Sequence, residues 1–241
     1  MKDLEFILQS VRRQEHQPHL INLANRTALA NYYRMAKEVA REAGPGPILD
    51  WGCGYGHMTF LLRSLGRDVV SYDINRPADA SLIAPFANIE VTVGSDPTKL
   101  PFTDDSLGSV LSCGVLEHVP SPNESLRELS RILRTNGTLF IYMLPNVYSW
   151  TEWISRLRGI SVHPVRYTPS SIRRLLEPSG FYARRIRKSN SLPKNLTGLP
   201  SVFRKVYDNA PGAVNLMDSV ISRIPVVNLF SGVLEVIAVR G

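Results

Sequence analysis

The feature that most limits how this chain can fold is an alternation of short apolar runs with amphipathic, helix-like stretches. Strands that alternate with helices form βαβ units, and such units build a mostly parallel sheet. We therefore predict an α/β fold with helices on both faces of one sheet. The predicted strands are Ile48–Trp51, Asp68–Asp73, Ile89–Val93, Ser109–Cys113, Thr138–Leu144, Phe181–Lys188 and Leu234–Arg240.

Several predicted helices begin and end at recognisable signals. Ser121-Pro122-Asn123-Glu124 predicts a helix start with a reciprocal side-chain cap, and Asn136-Gly137 predicts where that helix ends. Thr168-Pro169 starts another helix, which we expect to end at Gly180. Further helices are predicted at Asn25–Ala43, His57–Leu65 and Ala213–Arg223.

The length of 241 residues suits one α/β domain with additional segments and is short for two full domains. We predict an N-terminal helical segment or lid at residues 1–44. The ligand-binding core follows at residues 45–188. Residues 189–241 are predicted to hold an insert and then the strand that completes the sheet.

The loop after the first predicted strand is rich in glycine and opens a helix. Residues 50–56 read Asp-Trp-Gly-Cys-Gly-Tyr-Gly, and glycines at such a turn let a ligand approach the main chain. The start of the following helix offers free N–H groups. Asp73 ends the second predicted strand, 21 residues beyond Gly52, where an acid suits hydrogen bonds to a ribose diol. This order predicts a cofactor that contains adenosine.

Four motifs follow one another at the predicted strand ends: residues 48–56, 72–74, 94–102 and 115–119. In this order they resemble the class I S-adenosylmethionine-dependent methyltransferases, and in particular those with a methyltransferase type 11-like domain. The resemblance implies a seven-stranded, mostly parallel Rossmann-like sheet whose last strand, Leu234–Arg240, is antiparallel. It also implies S-adenosyl-L-methionine as cofactor and methyl transfer as the reaction.

The resemblance further implies roles for individual residues. Asp50 and its loop would hold the methionine part of the cofactor, Asp73 the ribose hydroxyls and Asp96 the adenine amino group. Carboxylates suit a ligand with a cationic sulfonium and a cationic amino group. The full set implied to bind the cofactor is Asp50, Gly52, Cys53, Gly54, Gly56, Asp73, Ile74, Asp96, Pro97, Cys113 and Gly114.

Three residues are predicted to act on the acceptor side. Methyl transfer needs mainly alignment, and a general base helps when the acceptor is a hydroxyl. His118 and His163 are the candidate bases and Tyr167 is the candidate orienting group. The plainer alternatives are a helix cap for His118 and an exposed loop position for His163. Tyr32 and Tyr33 either cover the cofactor pocket or pack on the sheet. No metal site is predicted.

The positive charge is concentrated in one stretch. The net charge is +7, yet residues 151–205 alone hold 12 Lys and Arg against 2 Asp and Glu. Such a block attracts anions, so it is either a solvated surface or the binding region of an anionic acceptor. Its candidate residues are Arg156, Arg158, Arg166, Arg173, Arg174, Arg184, Arg185, Arg187 and Lys188.

We therefore predict an O-methyltransferase whose acceptor is small and anionic, or is linked to a lipid or a nucleotide. Nucleic acid is a disfavoured partner because the chain has no basic patch interleaved with aromatic residues. An RNA methyltransferase and a non-catalytic cofactor-binding domain stay open as alternatives, and the oligomeric state is not predicted. The apolar stretch 213–232 either closes the core or makes a peripheral membrane contact.

Cysteine content predicts where the protein resides. Two cysteines are too few for a disulfide framework and fit a reducing compartment, so we expect a cytoplasmic protein. The sequence Asn195-Leu196-Thr197 matches the glycosylation pattern, which a cytoplasmic protein does not use.

Overall fold

The computed structural model describes residues 2–13, 20, 23–157, 159, 163–194, 196 and 201–241. Arg158, Asn195 and Thr197, which were singled out above, lie outside these residues. The strands are β1 (Ile48–Trp51), β2 (Val69–Asp73), β3 (Val91–Val93), β4 (Leu107–Cys113), β5 (Leu133–Pro145), β6 (Phe181–Ser189) and β7 (Val233–Arg240). The α-helices within the described ranges are α1 (Lys2–Arg12), α2 (Arg26–Glu42), α3 (His57–Ser64), α4 (Pro122–Ile132), α5 (Trp150–Leu157), α6 (Pro169–Leu176), α7 (Ser201–Asn209) and α8 (Pro211–Ile221).

The seven strands form one sheet in the order β3-β2-β1-β4-β5-β7-β6. Neighbouring strands pair in parallel except that β7 runs antiparallel to both β5 and β6. The predicted seven-stranded, mostly parallel Rossmann-like sheet with an antiparallel last strand is confirmed.

Helices cover both faces of this sheet, as predicted. Phe140 and Tyr142 of β5 pack into the core that α1, α2 and α3 share, whereas Leu139 and Ile141 pack into the core beneath α4 and α6. Successive side chains of a strand point to opposite faces, and both sets here are apolar because both faces are covered.

The sheet brings three loops to one edge. Trp51, the last residue of β1, pairs with Tyr72 of β2 on one side and Ser112 of β4 on the other. The loops that follow these three strands therefore meet at the carboxyl edge, where ligands bind in sheets of this type.

The predicted end of the fourth helix is wrong. The helix α4 ends at Ile132, and the chain passes directly into β5, so that Asn136-Gly137 lies inside the strand. Asn136 has a φ of 62°, and the pairing of β4 with β5 shifts register between Leu107 and Ser109. The Asn-Gly pair therefore marks an irregularity of the strand rather than a helix end.

The two predicted helix caps differ in outcome. Ser121 occupies the N-cap position of α4 with Pro122 behind it, but its side chain makes no capping hydrogen bond, which contradicts the predicted reciprocal cap. Thr168 does cap α6: its hydroxyl accepts from the Ser171 amide, and the Ser171 hydroxyl accepts from the Thr168 amide. A backbone N–H at a helix start needs such an acceptor, which explains why Thr168 fixes this start.

The N-terminal helices and the insert pack on each other. Arg12 forms an ion pair with Asp208 at 2.7 Å, and the Thr27 hydroxyl donates to the carbonyl of Tyr207. The prediction of one insert helix was incomplete: α8 begins two residues earlier than expected, and α7 precedes it. Among the described helices, none combines the length and apolarity needed to cross a membrane.

Candidate active site

The glycine loop after β1 is held in a shape that few other residues adopt. Gly52, Gly54 and Gly56 have φ values of 73°, 53° and 88°. A Cβ on Gly52 would lie 2.5 Å from a methyl carbon of Val115, and one on Gly56 would lie 2.7 Å from Ile89 Cδ1. A Cβ on Gly54 would meet nothing within 4 Å. The loop is therefore closely packed at its two ends and open at Gly54.

Two predicted acids brace the loops of this edge. Asp73 is 8% exposed, and its carboxylate accepts from the amides of Gly54 at 2.6 Å and Asn75 at 2.9 Å. Asp96 accepts from the amide and the hydroxyl of Thr98 through one oxygen, Oδ1. These bonds leave acceptor capacity on both carboxylates, because each ionised oxygen can accept two hydrogen bonds.

Asp50 lies deeper than the other acids. It is 1% exposed and accepts from the hydroxyl of Thr59 at 2.6 Å. Burial raises the pKa of this carboxyl to about 6, and the charge of Asp73 adds to the rise, whereas the bonds from Thr59 oppose it. Asp50 thus joins the loop to α3 from beneath.

The remaining predicted cofactor residues form apolar or small walls. Ile74 is 50% exposed, and Pro97 is half-buried beside Asp96. Cys53 and Cys113 are unpaired thiols, and burial raises the pKa of each. Thiols with a raised pKa stay protonated and are poor nucleophiles, which argues against a nucleophilic role for either cysteine.

A cluster of titratable side chains follows β4 on the side away from Asp73. Ligand atoms of Glu117, His118 and His163 all lie within 4.8 Å of one another. Burial raises the pKa of Glu117 to about 7, and burial followed by the neighbouring His163 lowers the pKa of His118. A hydrogen bond between His163 Nδ1 and Glu152 Oε1 at 2.7 Å raises the pKa of His163.

Tyr167 borders the same cluster from the loop before α6. Its side chain is buried in the core, and its hydroxyl has no hydrogen-bond partner among the described residues. Burial and the nearby charge of Glu117 raise its pKa to about 12. The structure therefore brings His118 and His163 together, with Tyr167 near Glu117 of the same cluster, although these residues come from two separate segments.

Comparison with known proteins relates the central part of the chain to a family of methyltransferases. The sequence model of the family described as Methyltransferase domain matches residues 49–141, which contain the glycine loop, Asp73, Asp96 and Glu117. A probable S-adenosylmethionine-dependent methyltransferase of Mycobacterium tuberculosis is 30% identical over 94 residues, or 39% of this chain and 34% of the relative. Residues 49–141 are therefore similar to S-adenosylmethionine-dependent methyltransferases, and the whole chain shares their fold.

One further sequence relative and one solved structure are also similar to this chain. A demethylmenaquinone methyltransferase of Mycobacterium bovis is 32% identical over 111 residues, which is 46% of each chain. The matched part thus spans between a third and a half of these two relatives' length. The crystal structure of a methyltransferase from Thermotoga maritima has the same fold, with a TM-score of 0.62, 16% identity and 99% of each chain covered.

The arginines of β6 are paired within the protein. Arg185 and Arg187 reach Glu38 of α2 at 2.5 and 2.7 Å, and Arg187 also pairs with Glu235 of β7. Arg184 pairs with Glu42 at 2.6 Å. The hypothesis that these three arginines bind an anionic acceptor is therefore not supported, because buried and half-buried carboxylates already neutralise them.

A cavity of about 510 Å³ lies between α2, β6 and α8. Arg34, Arg187, Lys188 and Arg223 line it, but it contains none of the residues predicted to bind the cofactor and none of His118, His163 and Tyr167. Arg34 pairs with Glu235 at 2.5 Å, and Lys188 donates to the side-chain oxygen of Asn228. Most of its basic groups are thus occupied by the protein itself.

The sequence alone did not identify Glu117 or Glu152 as part of the site. Glu117 stands in the motif of residues 115–119, but only His118 was singled out there. Nothing in the sequence near Glu152 identifies it, because its contact with His163 depends on how residues 146–167 fold. Tyr32, expected either to cover the pocket or to pack on the sheet, is half-buried with its ring 4.7 Å from that of His57.

Proposed function

We propose that this chain transfers a methyl group from S-adenosylmethionine to an oxygen atom of an acceptor. The acceptor is small and anionic, or is linked to a lipid or a nucleotide. The observation that carries the proposal is the open space at Gly54, in a loop that is closely packed at its two ends and whose Gly54 amide donates to the Asp73 carboxylate.

The residues around that space fit the cofactor. Gly54 leaves room for a ligand beside the main chain, and Asp73 and Asp96 keep acceptor capacity for hydroxyl and amino groups. Ile74 offers exposed apolar surface for a purine ring. Asp50 places a carboxyl beneath the loop, on the side expected to face the cationic methionine part.

When bound, S-adenosylmethionine supplies a methyl group whose C–S bond breaks, with its electron pair left on sulfur, as the acceptor oxygen forms the new bond. The protein's part is alignment of the two reactants and removal of the acceptor's proton. We assign that removal to the side of the site formed by Glu117, His118 and His163, with Tyr167 orienting the acceptor.

Two observations support the acceptor class. Four arginines of the basic stretch make no ion pair within the described residues: Arg156, Arg166, Arg173 and Arg174. They remain free to meet an anionic group, for which arginine is well suited. In addition, α7, α8 and the turn after them expose many apolar side chains, which favours a lipid-linked acceptor, as does the relative named for demethylmenaquinone.

The domain organisation predicted above is part of the proposal. Residues 45–188 form the cofactor-binding core, and the helices α1, α2, α7 and α8 pack together as a cap over one face, through contacts such as Arg12 with Asp208. The reaction takes place in the cytoplasm, where the unpaired thiols of Cys53 and Cys113 stay reduced.

The open position at Gly54 gives a direct test. Gly54→Leu places a side chain in the space assigned to the cofactor. Gly66→Leu is the matched control, because Gly66 also has a positive φ, 76°, and a Cβ there also meets nothing within 4 Å, but it follows α3 away from the loop. Both changes cost similar backbone strain, so a difference in binding isolates the site.

Calorimetry with S-adenosylmethionine and with its demethylated product provides the measurement. We expect Gly54→Leu to weaken binding by at least about tenfold, which is about 1.4 kcal/mol, and Gly66→Leu to leave it unchanged. Equal affinity in both variants would overturn the assignment of the site. A labelled methyl donor offered with lipid-linked, nucleotide-linked and RNA acceptors then tests the acceptor class, and label transfer to RNA alone would refute it.

A further inference from the structure

The carboxylate of Glu117 is buried without a full set of partners. Glu117 is 2% exposed, and its Oε2 atom has no hydrogen-bond partner among the described residues. Its Oε1 atom lies 3.9 Å from His118 Nε2, which is too far for a direct hydrogen bond. A buried carboxylate left in this way is costly unless a cation or another donor completes it.

His163 is oriented so that a ring lone pair points away from its protein partner. Its Nδ1 atom lies 2.7 Å from Glu152 Oε1, and an ionised carboxylate can only accept, so Nδ1 carries the hydrogen. The lone pair of the ring is therefore on Nε2. A carboxylate that fixes a histidine tautomer through the other ring nitrogen is the arrangement found behind histidines that bind metals.

We propose that Glu117, His118 and His163 bind one divalent cation of the first transition row, of the Mn²⁺ or Zn²⁺ type. Their ligand atoms lie within 4.8 Å of one another. Distances of about 2.0–2.2 Å from cation to ligand require only a small approach of these atoms, which the half-exposed His118 can make. Two imidazoles with one carboxylate favour such a cation over Mg²⁺ or Ca²⁺, which prefer oxygen ligands.

Three protein ligands leave coordination positions for the acceptor. A Cβ on Gly114, in the loop after β4, would lie 3.9 Å from Glu117 Oε1. The cation would therefore lie near Gly114, which is one of the residues predicted to bind the cofactor. A hydroxyl of the acceptor bound there becomes more acidic, and its proton passes to water before the oxygen takes the methyl group. The Tyr167 hydroxyl, which has no hydrogen-bond partner among the described residues, would then donate to a second acceptor oxygen.

A role of the cation in catalysis rests on the proposed function, and such a role narrows the chemical class of the acceptor. A cation with open positions favours an acceptor that offers two adjacent oxygen atoms, such as a diol or a hydroxy acid. His118 and His163 then serve as ligands, and the cation replaces a general base.

Titration of the metal-stripped full-length chain with Mn²⁺ alone tests the binding. Electron paramagnetic resonance and calorimetry should show one Mn²⁺ per chain, with nitrogen couplings from two imidazoles. We expect the double variant His118→Ala/His163→Ala to weaken binding by more than about tenfold, and Glu152→Gln, a positioning variant, to weaken it by about 10–100-fold while both couplings persist. His57→Gln is the control and should keep the affinity of the wild type.

The outcome is read without methyl transfer. Absence of stoichiometric binding, absence of nitrogen couplings, or unchanged affinity in the double variant would overturn the proposed cation site. Circular dichroism of each metal-free variant confirms that it is folded. Separate calorimetry with S-adenosylmethionine distinguishes the two proposals, because loss of Mn²⁺ binding with retained cofactor binding affects only this one.

Discussion

Asp50 links the architecture of the site to the pH dependence of folding. Burial raises its pKa from 3.8 to about 6 in the folded chain. A carboxyl whose pKa is higher in the folded state stabilises that state fully below the unfolded pKa. The contribution is then lost as the pH rises through the folded pKa, which here means between about pH 4 and about pH 6.

The variant Asp50→Asn removes this ionisation and keeps an oxygen for the Thr59 hydroxyl. We expect its melting temperature, relative to that of the wild type, to rise by a few degrees between about pH 4 and about pH 7 and then stay level. Differential scanning calorimetry over a pH series checks this. The exposed Asp68→Asn should show no such trend, and a difference for Asp50→Asn that is constant over the series would contradict the argument.

At the scale of residues, the sequence predicted which side chains lie at the carboxyl edge of β1 and β2 better than it predicted the contacts of His163. Residues 50–56 and Asp73 follow from local spacing, because the loop and the strand end lie in adjacent βαβ units. The contact of His163 with Glu152 could not be predicted in this way, since it depends on the path of the chain between β5 and α6.

At the scale of elements, the basic strand β6 is held by acids of α2 and β7. The Glu38 carboxylate accepts from Arg185, Arg187 and the Tyr142 hydroxyl, and its side chain is 8% exposed. The run of arginines was visible in the sequence. Its partners were not, because Glu38 and Glu235 come from distant parts of the chain and reach β6 only once the sheet has formed.

Loss of the Glu38 carboxylate should therefore destabilise the fold strongly. We expect Glu38→Ala to lower the free energy of unfolding by about 3–5 kcal/mol, because it removes the buried carboxylate that Arg185 and Arg187 share and leaves them only Glu42 and Glu235. Urea unfolding measures this change. Glu5→Ala, which breaks the more exposed pair with Arg26, is the comparison and should cost about 0–1 kcal/mol. Similar losses for the two variants would show that the β6 network adds little.

At the scale of the whole molecule, the exposed apolar side chains are concentrated in residues 202–230. They are Val202, Phe203, Val206, Leu216, Met217, Val220, Ile224, Val226, Val227, Leu229 and Phe230. Arg204, Lys205 and Arg223 belong to the same stretch. Apolar side chains next to basic ones are typical of surfaces that meet anionic lipid headgroups.

We expect the protein to co-sediment with vesicles of anionic phospholipid and to do so less in high salt. The double change Leu216→Ser/Met217→Ser should reduce the bound fraction several-fold, because it removes two exposed apolar groups of α8. Leu82→Ser removes an equally exposed leucine from a distant turn and serves as the control. Equal binding of both variants, or none by the wild type, would refute a membrane-facing role for this stretch.

The placement of β7 has a consequence for biosynthesis. The strand β7 lies between β5 and β6 in the sheet. Residues 233–240 must therefore have left the ribosome before β7 can pair with both of those strands. Until then the unpaired backbone N–H and C=O groups of β5 are exposed in the nascent chain, and they can pair with strands of other polypeptides. We therefore expect the chain to depend on chaperones until residues 233–240 have left the ribosome and paired with β5 and β6.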